Sequence, residues 1–402
     1  MIRKLIPVLL SFIFLAASIV YVSDTVQPEA TDDSPVEAVS APVKKPVGEL
    51  RGVWVTYMTL DVENETDKES AFKSRIDGII EDMKRSALNT MIVQVRPFCD
   101  ALYRSKHFPW SHILTGSQGE DPGYDPLEYI VQTAHDNGIY VHAWINPYRI
   151  STQNTPSVFS DDNPYVRDSS ITAEINGALY LNPASEKARK LIIDGISEIA
   201  EGYEVDGIQF DDYFYPPDCG DFDSADYEKY CEGEASPMTL GEFRRDNVSE
   251  LIAQAYQAVH KTGRDIVFGV SPQGRLSNND VLYADVKTWC ETEGYIDYIC
   301  PQLYFSLDNP ALTFEAGLRE WLELKRHPDL SLYIGLPAYK AGTDADEGTW
   351  LDNDDILKTE LEILREKGAD GFILYSYDSF ESEENAAEME NLISYLTNSP
   401  TQ

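Results

Sequence analysis

"VDGIQFDDYFYP" (205–216) decides the fold. An apolar alternation starts after Asp206-Gly207 and stops at two adjacent carboxylates, Asp211 and Asp212, followed by three aromatics and proline. With a period of two, Gln209 and Asp211 share one face of a strand, and Ile208 and Phe210 share the other. A strand with an apolar outer face and an inner face that turns polar at its C-terminal end fits a sheet closed around a site.

Seven other runs have the same form: RGVWVTY (51–57), TMIVQVR (90–96), IYVHAWIN (139–146), IVFGVS (266–271), DYICPQLY (297–304), LYIGLPAY (332–339) and GFILYSY (371–377). Helical patterns separate them. In "PLEYIVQTAHDNG" (126–138), Leu127, Ile130, Val131 and Ala134 lie on one face and Gly138 stops the helix. Eight strand–helix units predict an α/β fold, a (β/α)₈ TIM barrel in one domain over 50–398, with enlarged loops after strands 3 and 4. An open doubly wound sheet is the alternative, but no glycine-rich phosphate turn follows the first strand.

The chain has 402 residues, 69 acidic against 32 basic, for a net charge of -37. That balance opposes nucleic acid and anionic membrane surfaces as partners. Arg3 and Lys4 precede an apolar run from Leu5 to Val22, so 1–23 reads as an export signal or a retained anchor. The composition of 24–49 reads as a disordered linker. The protein is therefore expected to be exported, touching a membrane only through the N-terminal segment if that is uncleaved. Five cysteines stand at 99, 219, 231, 290 and 300; Cys219 and Cys231 either bridge or remain free thiols. No HxH pair, CxxC or nucleophile elbow occurs, so neither metal nor cofactor is expected. The alternating acids of "GDFDSADYE" (220–228) lack a full calcium-loop spacing and read as a solvated loop.

Barrel sites lie at the C-terminal ends of the strands. Polar residues gather there: Gln94 and Arg96, His142 and Asn146, Gln209 and Asp211, Ser271, and Gln302 with Tyr304. Aromatics stand near the same ends: Trp54, Tyr57, Tyr148, Tyr213, Phe214, Tyr215, Tyr304, Tyr339 and Tyr377. Carboxyl groups beside flat apolar faces fit glycoside cleavage. Asp211 is expected to act at the anomeric centre, as nucleophile or as stabiliser of positive charge, with Asp212 holding a shared proton or orienting a loop and Tyr213–Tyr215 forming a sugar platform. Asp378 and Asp100 are candidate partner acids, and Asp206 is read as structural. A non-catalytic glycan-binding barrel is the alternative from another class.

Four stretches carry a resemblance to a known family: "RGVWVT", "PFCDALYRSKHFPWSHILTGSQGEDPGYDPLEYIVQTAHDNGIYVHAWINPYR" (97–149), "VDGIQFDDYFYP", and "FGVSPQG" with "DYICPQLY". From about Leu50 to Tyr377 the chain resembles the bacterial glycosyl hydrolase-like family 10, (β/α)₈ barrels distantly similar to the α-amylase type. The resemblance implies glycan hydrolysis at the cell envelope, on peptidoglycan strands lacking stem peptides. It also implies a catalytic carboxylate at Asp211. The acid that amylase-type barrels carry after the fifth strand is absent here, where Ser271 stands.

Overall fold

A computed structural model describes residues 48–153 and 155–398. The segments expected to direct export and to form most of the linker (1–47) lie outside the described residues. Among the described residues no helix is long and apolar enough to cross a membrane.

Eight parallel strands close a barrel: β1 (Leu50–Val55), β2 (Thr90–Arg96), β3 (Tyr140–Ile145), β4 (Gly207–Phe210), β5 (Val267–Val270), β6 (Tyr298–Ile299), β7 (Ser331–Leu336) and β8 (Gly371–Leu374). Each pairs with its neighbours in sequence, and β1 closes on β8. The outer faces, among them Val53, Met91, Ile208 and Phe268, join one large apolar core with helix residues such as Ile76, Ile130, Ile196 and Ile252. The inner faces form a second, smaller core that includes Trp54, Ile92, Trp144, Tyr298 and Ile373. Period-two alternation produces these two cores from the same strands.

The helices are capped as their sequences require. Asp125 accepts from Glu128 N at the start of Pro126–Asp136, and Gly138 follows that helix with φ of 72°. Thr239 and Glu242 form a capping box at the start of Leu240–His260. At the N-terminal end of the barrel, acids receive strand N–H groups. Asp206 Oδ2 accepts from Val141 N (2.8 Å), Asp297 Oδ2 from Phe268 N (2.6 Å) and Asp370 Oδ2 from Leu332 N (2.8 Å). His135 and His260 also contact Asp206 and Asp297, at 2.8 and 3.0 Å.

The long connections have internal structure. After β3, Thr172–Ile175 and Ala178–Leu181 form an antiparallel hairpin, turned by Asn176-Gly177 with φ of 53° and 79°. Ile150 N donates to Leu179 O (2.9 Å) and Leu181 N to Tyr148 O (2.7 Å), which ties segment 148–151 to the hairpin. After β4, the expectation of a solvated acidic loop fails at Asp223. That residue is fully buried and paired with Arg244, whose Nε lies 2.9 Å from Asp223 Oδ2. The pair pins the loop to Leu240–His260. All five cysteines, Cys219 and Cys231 included, are free.

Candidate active site

A cavity of about 220 Å³ opens at the C-terminal end of the barrel. Asp211, Asp212, Gln209, Tyr213, Ser271, Gln302, Tyr304 and Tyr339 line it, together with Trp54, Trp144 and Tyr375. Its floor depends on two glycines. A Cβ on Gly269 would stand 2.2 Å from the Tyr298 ring, and one on Gly207 would stand 2.6 Å from His142. These absences let Tyr298 and His142 lie across the barrel interior. The Tyr298 hydroxyl donates to Gln209 Oε1 (3.2 Å) and lies 3.1 Å from His142 Nδ1. Burial pushes the His142 pKa down to about 4, so the ring is neutral. With Oε1 accepting from Tyr298, Gln209 Nε2 has no partner, and Ser271 Oγ also has none. Buried polar atoms of this kind, on a cavity floor, are positioned for a ligand.

The two acids are held by neutral donors. Asp211 Oδ2 accepts from Trp144 Nε1 (3.3 Å) and from Asn146 Nδ2. Asp211 Oδ1 has only a long contact from Tyr213 N, at 3.5 Å. Asp212 accepts from Gln302 Nε2 at Oδ1 (3.2 Å) and from Gln273 Nε2 at Oδ2. Burial, then the charge of Asp212, pushes Asp211 up to about 7. Asp212 is also raised, by burial, while the Gln273 and Gln302 amides oppose that shift. Arg149 is the nearby cation and offsets part of both shifts. Its Nη2 donates to Asn146 Oδ1 (2.9 Å) and its Nε to Pro97 O (2.9 Å), and its guanidinium lies 5.6 Å from the Tyr213 ring centre.

Asp211 Oδ2 is filled by two donors, so a proton on Asp211 resides on Oδ1. Both oxygens of Asp212 already accept from amides, which favours its ionised form. The donor pattern therefore favours the shared proton of the pair on Asp211 and the charge on Asp212. Opposite them stands an aromatic wall. Tyr375 lies 5.9 Å from Trp54, 5.6 Å from Tyr304 and 5.8 Å from Tyr339, ring centre to centre.

Several expected contact residues stand behind the cavity instead. Gln94 donates to Asn146 Oδ1 (2.5 Å) and Asn146 holds Asp211, so both orient the acid without lining the cavity. Arg96 is buried with its guanidinium 4.5 Å from the Phe108 ring centre, and His142 is buried beneath Gln209. Tyr148 is buried in the outer core. The expected Tyr213–Tyr215 platform does not form. Phe214 packs edge-on to Trp289 (5.6 Å) and Tyr215 against Tyr283 (5.2 Å), because the chain turns outward after Asp212 and only Tyr213 faces the cavity. Asp378 is exposed in a separate groove, where it accepts from Thr59 Oγ1 (2.9 Å). Asp100 is buried among Ser111, His112 and Gln118 and braces the loop after β2.

The sequence does not single out Trp144, Tyr375, Gln273 or Arg149 as site residues. Strand parity carries a signal for two of them: Trp144 shares the face of His142 and Asn146, and Tyr375 that of Ile373. Gln273 and Arg149 lie beyond the strand ends, where parity says nothing.

Residues 49–352 match the family described as glycosyl hydrolase-like 10, and the chain belongs to that family. It is 35% identical over 347 residues to glycosyl hydrolase YngK of Bacillus subtilis, covering 79% of this chain and 67% of the relative. It is 30% identical over 386 residues to glycosyl hydrolase DigH of Escherichia coli K12, covering 86% of each. Two solved structures share the fold. The PgaB (BpsB) glycoside hydrolase domain from Bordetella bronchiseptica superposes with a TM-score of 0.54 at 14% identity, over 88% of this chain and 100% of that one. The endo-1,4-beta-mannanase from Rhizomucor miehei gives 0.54 at 10% identity, over 90% and 99%.

Proposed function

We propose that this family member is an exported glycoside hydrolase that cuts a cell-envelope glycan, peptidoglycan strands freed of stem peptides. The observation that carries the reading is the buried Asp211–Asp212 pair in a cavity walled by aromatics. One carboxyl holds a proton near neutrality beside an anionic neighbour, the arrangement that general acid catalysis of glycoside cleavage needs. Asp211 donates its proton from Oδ1 to the leaving oxygen. The role of general acid replaces the action at the anomeric centre expected of Asp211.

Family membership and the relatives' names support a glycan substrate. The volume of about 220 Å³ is below the ~300–1,000 Å³ usual for ligand pockets. A space of that size suits a single sugar ring. The Arg3/Lys4 and Leu5–Val22 arrangement supports export.

The test incubates residues 50–402 with purified peptidoglycan, intact and amidase-stripped, and analyses the products by mass spectrometry. Faster release of fragments from stripped strands is expected. Equal rates on both would remove the proposed preference, and preferential cleavage of α-glucans would replace the substrate class.

A further inference from the structure

The two acids of the cavity are consecutive residues on one strand end, and the charge of Asp212 acts directly on Asp211. They therefore stand on the same side of a bound sugar. In the closed strand order, β8 lies diametrically across from β4, and β8, its neighbours β7 and β1, and the segment after β6 present Tyr375, Tyr339, Trp54 and Tyr304. Among the described residues no third carboxylate lines the cavity. Two-acid glycosidases need a nucleophile or a base on the face opposite the acid. Tyrosine is the one nucleophilic side chain on that wall. Burial raises the pKa values of Tyr304, Tyr339 and Tyr375, which disfavours the phenolate.

A group carried by the sugar itself can fill the gap. On the acid side of the floor, Gln209 Nε2 is an N–H donor without a partner, and Ser271 Oγ is a second unpartnered polar atom. Gln209 Nε2 suits a carbonyl oxygen, the anionic Asp212 suits an amide N–H, and Trp144 supplies an apolar face for a methyl group. Those three features together describe an acetamido group.

We infer that the cavity takes a 2-acetamido sugar and that the carbonyl oxygen of that acetamido group is the nucleophile, with Asp211 as acid and base and Asp212 as the acceptor of the acetamido N–H. The inference rests on the glycosidase reading above. In the first step the carbonyl oxygen forms a bond to C1, the C1–O bond to the leaving sugar breaks, and the Asp211 proton passes to the leaving oxygen. The resulting five-membered ring keeps its N–H on Asp212, whose charge balances the positive charge of the ring. In the second step water bonds to C1, its proton passes to Asp211, and the ring C1–O bond breaks, which restores the acetamido group. C1 is displaced twice, so its configuration is retained. Gln209 is a positioning residue for the carbonyl.

The experiment compares amidase-stripped peptidoglycan strands, the same strands chemically de-N-acetylated, and the latter re-acetylated or trifluoroacetylated. Expected are a loss of at least about 100-fold in kcat/KM on de-N-acetylated strands, recovery on re-acetylation, and slow turnover of trifluoroacetylated strands, whose carbonyl is a poorer nucleophile. The product anomer, read by NMR at early times, should show retention. Cleavage of de-N-acetylated strands at an undiminished rate, or inversion, overturns the inference and leaves the glycosidase reading standing. No cleavage of any strand overturns both.

Discussion

The two ends of the barrel use the same side chain in opposite ways. At the N-terminal end, Asp206, Asp297 and Asp370 stand just before three different strands, and each receives a backbone N–H from the preceding strand. At the C-terminal end, Asp211 and Asp212 are adjacent, buried, and held by side-chain donors. The first set separates its charges and satisfies the backbone. The second concentrates charge where water is scarce, so a proton is retained. A carboxylate's role here follows from the donors and neighbours it meets, not from its position in a strand motif: Asp206 and Asp211 flank the same strand, Gly207–Phe210.

The largest expected effect breaks the C-terminal pair. Asp211→Asn should keep the fold and glycan affinity within a few-fold while lowering turnover by ~10²–10⁴. In the wild type the acid must be protonated, so turnover should fall as pH rises through about 7. A folded Asp211→Asn variant with near wild-type turnover would make the pair structural.

Next come the aromatics that follow the pair. Phe214 is 1% exposed and packed on Trp289, so Phe214→Ala should cost about 3–5 kcal/mol of stability, measured by denaturant unfolding. Tyr339 is 43% exposed at the cavity mouth. Tyr339→Ala should leave stability nearly unchanged and weaken glycan binding by about 0.5–1.5 kcal/mol if the ring stacks on a sugar. The reverse pattern would restore the platform expected after Asp212.

At the other end, Asp206→Ala strands Val141 N and should destabilise the barrel by about 1–3 kcal/mol. The turnover of the folded fraction should hold. Loss of activity in proportion to the Asp211 variant would erase the distinction between the ends.

The smallest effect has the opposite sign. Asp211 has its ordinary carboxyl pKa of 3.8 when unfolded and a raised one when folded. Its protonated form fits the fold. Stability is therefore full below the unfolded pKa and is lost as pH rises through the folded pKa of about 7. Asp211→Asn removes that loss. Its Tm should match or trail the wild type at acid pH and exceed it at pH ~9. A variant less stable than wild type at alkaline pH would mean that Asp211 is not strained by burial.

Much of this is legible in the sequence. Eight apolar runs between amphipathic helices specify a parallel barrel because each strand must bury one face on helices and one inside. Period two places Gln209, Asp211, Ser271 and Gln302 at one end, and the cavity gathers all four. The hairpin after β3 also has a local signal, the Asn176-Gly177 turn, inside a stretch whose length alone suggests an enlarged loop.

What periodicity cannot supply begins where the strands end. Beyond Asp212 the chain leaves the sheet, so alternation no longer says which way Phe214 and Tyr215 point, and core packing decides it. Arg149 stands near enough to act on the acids' charge in a segment, 148–151, that a hairpin further along the chain holds in place, and Gln273 meets Asp212 across two loops. The sequence by itself determined the barrel, the end that carries the site and the acids in it, since those follow from side-chain alternation along each strand. Only the tertiary structure decided which acid keeps a proton, because that depends on burial, on the neighbouring charge, and on donors brought in from β3 and from the loops beyond β3, β5 and β6.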